Sequence, residues 1–187
     1  MNRKIYDIVM NPFLAKIYET LGDCFSKIDP TSAIQFFKKS FPIWAEIEGY
    51  DSESIASVFE KMGREYVILK LYKDSLVYFA RANIAYEFNF GKMDMRVANI
   101  HFLCGKSFEL LERYPEAIRE YKKSLSIYNT FYSKENETVK NISNTIADLC
   151  EKIGNIEDAH FFRIRGHEYK ELEDPDDFSI LIENLGL

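Results

Sequence analysis

The residues of this 187-residue chain with chemistry to offer are three histidines, three cysteines and a run of acids, and their spacing decides how much of it is available. A carboxylate-bridged di-iron site in a helical bundle needs two Glu-x-x-His pairs and two further glutamates. Glu157 with His160 is the one pair at that spacing; His101 and His167 have no glutamate three residues before them. His160 therefore reads as a partly exposed helix residue rather than a ligand. No His-Glu-x-x-His, Cys-x-x-Cys, Gly-x-Ser-x-Gly or phosphate-loop sequence occurs. Glu171, Glu173, Asp174, Asp176 and Asp177 lack the glycine and the twelve-residue alternation of a calcium loop and read as a solvated linker. Cys24, Cys104 and Cys150 are odd in number and fall on or beside apolar positions, which predicts reduced packing residues. Lys38-Lys39 and Lys122-Lys123 recur at equivalent positions and read as an outward, solvated face. The expectation is a chain with no catalytic residue, no metal and no cofactor.

The elements that would have to position any such residues are set by a spacing. Ala33, Ser75, Ala117 and Ala159 lie 42 residues apart. Upstream of each sits a second small residue, Gly22, Gly63, Gly105 and Ala147, the first step being 41 because the first turn is one residue shorter. Self-similarity at a fixed period of this length is the signature of a solenoid. Two helix axes come within about 8 to 10 Å only where the side chains between them are short, so each small pair marks the crossing of a helical hairpin.

Larger residues keep the same register. Leu21, Met62, Cys104 and Ile146 form one predicted core column; Phe25, Tyr66, Phe108 and Cys150 form a second; Tyr72, Tyr114 and Ile156 form a third. Aromatic pairs such as Phe36-Phe37 and Tyr78-Phe79 fill the hairpins, and large buried areas of this kind supply most of the stability. Apolar periodicity and stop signals predict helices over about 13–27, 30–48, 52–71, 73–89, 93–112, 114–131, 135–153 and 156–172. Pro12, Pro30 and Pro115 open helices, and Gly49, Gly91 and Gly154 sit just past helix ends.

At "MGREY" with "YKDSLVYF" and "CGKSF" with "YPEAIREY", and more loosely at "LGDCF", the chain resembles the tetratricopeptide repeat. The resemblance covers roughly residues 13 to 173, and its period is similar to the long repeats of kinesin light chain and LGN-type adaptors. It implies an all-α, right-handed superhelical solenoid of four such hairpins with a C-terminal capping helix. It divides the chain into an N-terminal extension (1–12), a four-repeat domain (13–173) and the capping helix (174–187). In the family the first helix of each hairpin lines a concave groove that takes an extended peptide or a helix. By register, that groove would present Glu19, Asp23, Glu60, Arg64, Lys106, Glu109, Asn144 and Asp148, with Ile68, Leu103 and Leu110 for apolar contact. Asparagine-ladder positions of the related adaptors read Thr20, Lys61, Cys104 and Thr145 here, and the first positions of the chaperone-binding carboxylate clamp read Glu19 and Asp23. Acids at those two positions predict no binding of chaperone C-terminal peptides.

Composition agrees with an interaction protein of this kind. With 47% hydrophobic residues the chain can bury a substantial core as one domain. Thirty acidic against 24 basic residues, a net charge of −6, leave no electrostatic footprint for nucleic acid or an anionic membrane. No apolar run reaches the roughly 18 to 20 residues of a membrane span, and the first residues have too short an apolar core for a signal peptide, so a soluble, cytoplasmic protein is expected. The partner is another protein or peptide, held by an adaptor that is not an enzyme. A sensor domain for a short signalling peptide, and a self-associating unit forming a homodimer through terminal helices, are the alternatives. After Pro175, Asp176 or Asp177 would cap a last helix carrying Phe178, Ile180, Leu181, Ile182 and Leu185. It either caps the preceding hairpin, lies in the groove, or crosses to a second copy.

Overall fold

The computed structural model describes residues 11–170, which form eight α-helices and a short 3-10 turn: α1 Pro12–Phe25, α2 Pro30–Glu48, α3 Glu53–Ile68, α4 Tyr72–Phe90, α5 Met95–Leu110, α6 Tyr114–Phe131, α7 Glu137–Lys152, α8 Ile156–Arg165 and the turn Gly166–Glu168. Residues 1–10 of the expected N-terminal extension and the expected helix at 174–187 lie outside the described residues. Four hairpins result: α1/α2, α3/α4, α5/α6 and α7/α8. Contacts group them into two compact units divided after Gly91, the first holding hairpins one and two and the second hairpins three and four. In the first unit α2 also packs on α3, and in the second α6 packs on α7. Among the described residues no helix is long and apolar enough to cross a membrane.

Local chemistry starts most of these helices. The side chains of Asn11, Asp29, Ser52, Asp94, Asn136 and Asn155 accept hydrogen bonds from backbone N–H groups of the following first turn, satisfying donors that the helix itself leaves open. Helices α4 and α6 have no side-chain cap. They are instead entered through Lys70 (φ 60°) and Glu112 (φ 59°), the register mates of Gly154 (φ 81°). Two of three tight turns thus use a left-handed residue that is not glycine, a cost of about 1–2 kcal/mol that the packed hairpin overrides.

The upstream glycines work differently from a bare backbone crossing. A Cβ on Gly22, Gly63 or Gly105 would lie 2.4, 2.5 or 2.7 Å from the ring of Phe37, Phe79 or Tyr121, each 42 residues from the next. The glycine is a socket for an aromatic ring of the partner helix. In the fourth hairpin the ring position is Arg163, which is exposed, and the socket position is correspondingly Ala147, which is buried.

Most predicted core positions are buried, among them Ala33, Met62, Ser75, Cys104, Phe108, Ala117, Ile146, Ala147, Cys150 and Ala159. The exceptions differ in cause, and Phe25 and Tyr66 of the second column are only half-buried. Leu21 is 36% exposed because no described helix precedes α1, whereas Met62 and Ile146 sit on helices with a preceding helix against them. Cys24 is exposed on the same helix, so two of the three cysteines, not all, are packing residues. The third column opens helices rather than filling the core: Ile156 is 64% exposed, and Tyr72 and Tyr114 are half-buried. The last helix ends at Arg165, seven residues short of the expected 172. Lys122 and Lys123 are half-buried, Lys122 bonding Asp158 at 3.1 Å, while Lys38 and Lys39 are exposed.

Candidate functional site

The residues expected along the first helices of the hairpins separate into two sets. Glu19 on α1 is buried: its Oε1 accepts from Trp44 Nε1 (2.6 Å) and its Oε2 from Lys61 Nζ (3.2 Å) and Lys16 Nζ (3.3 Å). Glu60, its register mate on α3, accepts from Tyr86 Oη (3.1 Å) and twice from Arg64 (3.1 and 2.8 Å). Both acids therefore tie the first helix of a hairpin to an aromatic residue near the end of the second, Trp44 or Tyr86, and hold the helix ends together. Leu103 is buried, and Glu109 accepts from Tyr121 Oη at 2.8 Å. Burial, and then the Glu109 carboxylate, push the Tyr121 phenol far above its ordinary value.

The second set stays on the surface. Asp23, Arg64, Lys106 and Asp148 occupy one register position of α1, α3, α5 and α7, and all four are exposed. One turn on, Ile68 (56% exposed) and Leu110 (44% exposed) are also equivalent. Asp23 binds Lys61 (2.9 Å), and Asp148 accepts from Arg163 (2.8 Å), whose guanidinium also reaches Glu151 (2.7 Å). Lys106 is exposed and makes no hydrogen bond or ion pair among the described residues. Asn144 is exposed as well. In the ladder column, Thr20 is exposed and Lys61 and Thr145 are half-buried, but Cys104 is buried because the position in step is its neighbour Leu103.

One buried group was not anticipated. His101 Nδ1 lies 2.8 Å from Glu120 Oε2, with both side chains buried. Arg119 Nε and Lys123 Nζ lie 3.8 and 3.9 Å from Glu120 Oε1. Burial alone would raise the Glu120 carboxyl, but the His101 hydrogen bond and the charges of His101, Lys123 and Arg119 acting on it outweigh burial when His101 is protonated, and hold the group below its usual range. Burial, with Glu120 nearby, pushes the Cys104 thiol well up, the direction that disfavours the thiolate. The signal was present in the sequence: Glu120 interrupts a column that otherwise reads Phe36, Tyr78 and Phe162. His160 and Glu157 are exposed, and no group of three or more metal-ligating side chains occurs among the described residues.

No protein-family model and no curated protein matches the sequence. Solved structures do. BtubC (BKLC) from P. vanneervenii superimposes with a TM-score of 0.74 at 15% identity, over 89% of this chain and 69% of that one. A Podosopora anserina protein of kinesin light chain type, with nearly identical TPR-like repeats, gives 0.69 at 10% identity over 81% and 72%. The fold is tetratricopeptide-like. Aspartyl phosphate phosphatase F from Bacillus subtilis shares it, with a TM-score of 0.69 and 16% identity over 83% of this chain, which spans 39% of the phosphatase. Identities this low carry the architecture and not the activity.

Proposed function

We propose that this tetratricopeptide-like chain is a non-enzymatic scaffold that holds a peptide or helix of another protein against the first helices of its hairpins, residues 13–173 acting as one repeat domain. The observation that carries this is the register Asp23, Arg64, Lys106 and Asp148, four exposed charges at one repeating position of the first helices. Ile68 and Leu110 add exposed apolar side chains one turn away, the mixture of anchors and charges found in peptide grooves. Capture from native lysate with the full chain, quantified by mass spectrometry, tests the reading when repeated with Arg64→Glu and Lys106→Glu singly. At least one partner should drop about tenfold with either variant, since each reversal removes a favourable contact and adds a repulsive one. Full retention of every partner by both variants would sink it.

Self-association is favoured as a second reading by one observation. Phe13 (72% exposed), Ile17 and Leu21 run at four-residue steps along α1, with Ile28 (80%) beyond its end. An apolar stripe of this kind marks an interaction surface. Light scattering over a concentration series separates the two: a mass that doubles for the native chain and not for Ile17→Asp supports self-association.

A further inference from the structure

The fourth hairpin is built unlike the others at its end. Helices α2, α4 and α6 run for 19, 19 and 18 residues, but α8 stops after 10. Beyond it, Asn129 of α6 donates to the carbonyls of Gly166 (3.0 Å) and Tyr169 (2.9 Å), and the Tyr169 ring packs 5.2 Å from Phe162. The chain after α8 is thereby tied to α6, while the turn Gly166–Glu168 also packs on α7 and the helix does not continue. The position that holds Trp44, Tyr86 and Tyr128 in the first three hairpins is Lys170 in the fourth. Trp44 and Tyr86 are buried where they bond Glu19 and Glu60; the corresponding residue of α7, Asn144, is exposed.

What the shortened helix leaves is a cavity of about 450 Å3, within the roughly 300–1,000 Å3 of ligand sites. Val139, Phe162 and Ile164 supply its apolar lining, and Ser143 lines it with a buried hydroxyl that has no hydrogen-bond partner among the described residues. Three full positive charges, Lys134, Lys140 and Arg163, line it against one negative, Glu135. Arg163 is committed to Asp148 and Glu151 and Lys140 to Glu135, so Lys134 is the cation least compensated there.

We propose that this cavity is filled by residues 174–187 of the same chain, with Phe178 taking the place that Trp44 and Tyr86 take in the earlier hairpins and Asp174, Asp176 and Asp177 meeting Lys134 and Lys140. Seven residues lie between Lys170 and Phe178, eight steps with a reach of up to about 26 Å, and Pro175 favours the bend that a return requires. The segment pairs the two properties the cavity lacks: acids before Phe178, and Phe178, Leu181 and Leu185 at helical spacing after it. A short tether sets the effective concentration on the order of millimolar, so even a segment of weak intrinsic affinity is mostly bound. The docked segment would cover Asn144 and withdraw it from the peptide-binding set.

Hydrogen exchange on the full chain tests this without any partner, so its failure would leave the scaffold reading standing. Phe178→Asp with Leu181→Asp should speed exchange of the α7 amides from Val139 to Ala147 by about tenfold or more, while α3 is unchanged. Lys134→Glu with Lys140→Glu, both exposed, should do the same through charge alone. A synthetic peptide of residues 171–187, added at millimolar concentration to the Phe178→Asp/Leu181→Asp chain, should restore protection and have no effect on the native chain. Equal exchange in native and variant chains overturns the proposal, as does protection of the native chain by added peptide. Protection that disappears on dilution along with a dimer mass also overturns it, placing the segment in a second copy.

Discussion

Hairpins two and three put the same two columns to opposite uses. In hairpin two the positions hold Phe59 and Tyr78, whose rings pack with centroids 6.0 Å apart. In hairpin three they hold His101 and Glu120, a buried ionisable pair at 2.8 Å. Each pair lies 19 residues apart on facing helices, so the repeat fixes which side chains meet but not the chemistry of their meeting. A ring pair is stable wherever it is dry. A buried pair of ionisable groups holds together only as a pair, because either partner left alone is a desolvated group without compensation.

Removing one member of the polar pair is the largest way to break the comparison. Glu120→Ala should cost about 3–5 kcal/mol in urea unfolding, through the broken buried pair with His101 and the cavity left behind. Converting hairpin three to the pattern of hairpin two, His101→Phe with Glu120→Tyr, should return stability to within about 1 kcal/mol of the native chain or above it. A double variant as unstable as Glu120→Ala would show that the two sites are not equivalent in shape, whatever their register.

The glycine sockets sharpen the same contrast between aromatic and polar hairpins. Gly63→Ala drives a methyl into the fully buried Phe79 ring and should cost about 1–3 kcal/mol. In hairpin four Arg163 has replaced the ring, and there the reverse change, Ala147→Gly, should cost about 1 kcal/mol, the difference in helix propensity. Gly63→Ala in a Phe79→Ala background should lose most of its penalty, which thermal unfolding of the four chains of a double-mutant cycle measures. A smaller effect of opposite sign comes from the turns: Glu112→Gly should stabilise by about 0.5–1 kcal/mol, since the residue sits at φ 59° and its register mate Gly154 already uses glycine.

The helical hairpins were legible because small residues and apolar columns repeat at a fixed interval, and both signals are local. Helix starts read well wherever a capping side chain or a proline announces them. What sequence alone missed depends on neighbours. Leu21 is apolar and in register with Met62, but has no described helix to cover it. The early end of α8 follows from Asn129, 37 residues before Gly166 in the chain, capturing two carbonyls. Glu19 and Glu60 looked like groove residues because they are charged and lie on the right helices. Their partners Trp44 and Tyr86, on the facing helices, bury Glu19 and half-bury Glu60, and that pairing is visible only once the two columns are aligned.

Two buried carboxylates, one in each unit, turn the comparison into a pH experiment. Glu65 on α3 accepts from Ser26 Oγ at 2.5 Å through Oε1, while Oε2 has no partner among the described residues. Burial raises its carboxyl above the ordinary 4.5, the Ser26 bond opposing and Asp23 adding to it. A folded value above the unfolded one means a contribution that is full below the unfolded value and lost as pH rises through the folded one. Glu120 is held below 4.5, so its contribution is present above the unfolded value and lost as pH falls through the folded one. Glu65→Gln keeps the Ser26 bond and removes the charge; relative to the native chain it should gain stability at pH 7, and the gain should vanish below about pH 4. Glu120→Gln should be less stable than the native chain at pH 7, with the gap closing over the same acid range. Urea midpoints at pH 7, 5 and 3.5 for the three chains give the two slopes. Opposite signs identify Glu65 as a carboxyl tolerated by the fold and Glu120 as one the fold depends on; equal signs would mean that His101 does not hold Glu120 in its ionised form.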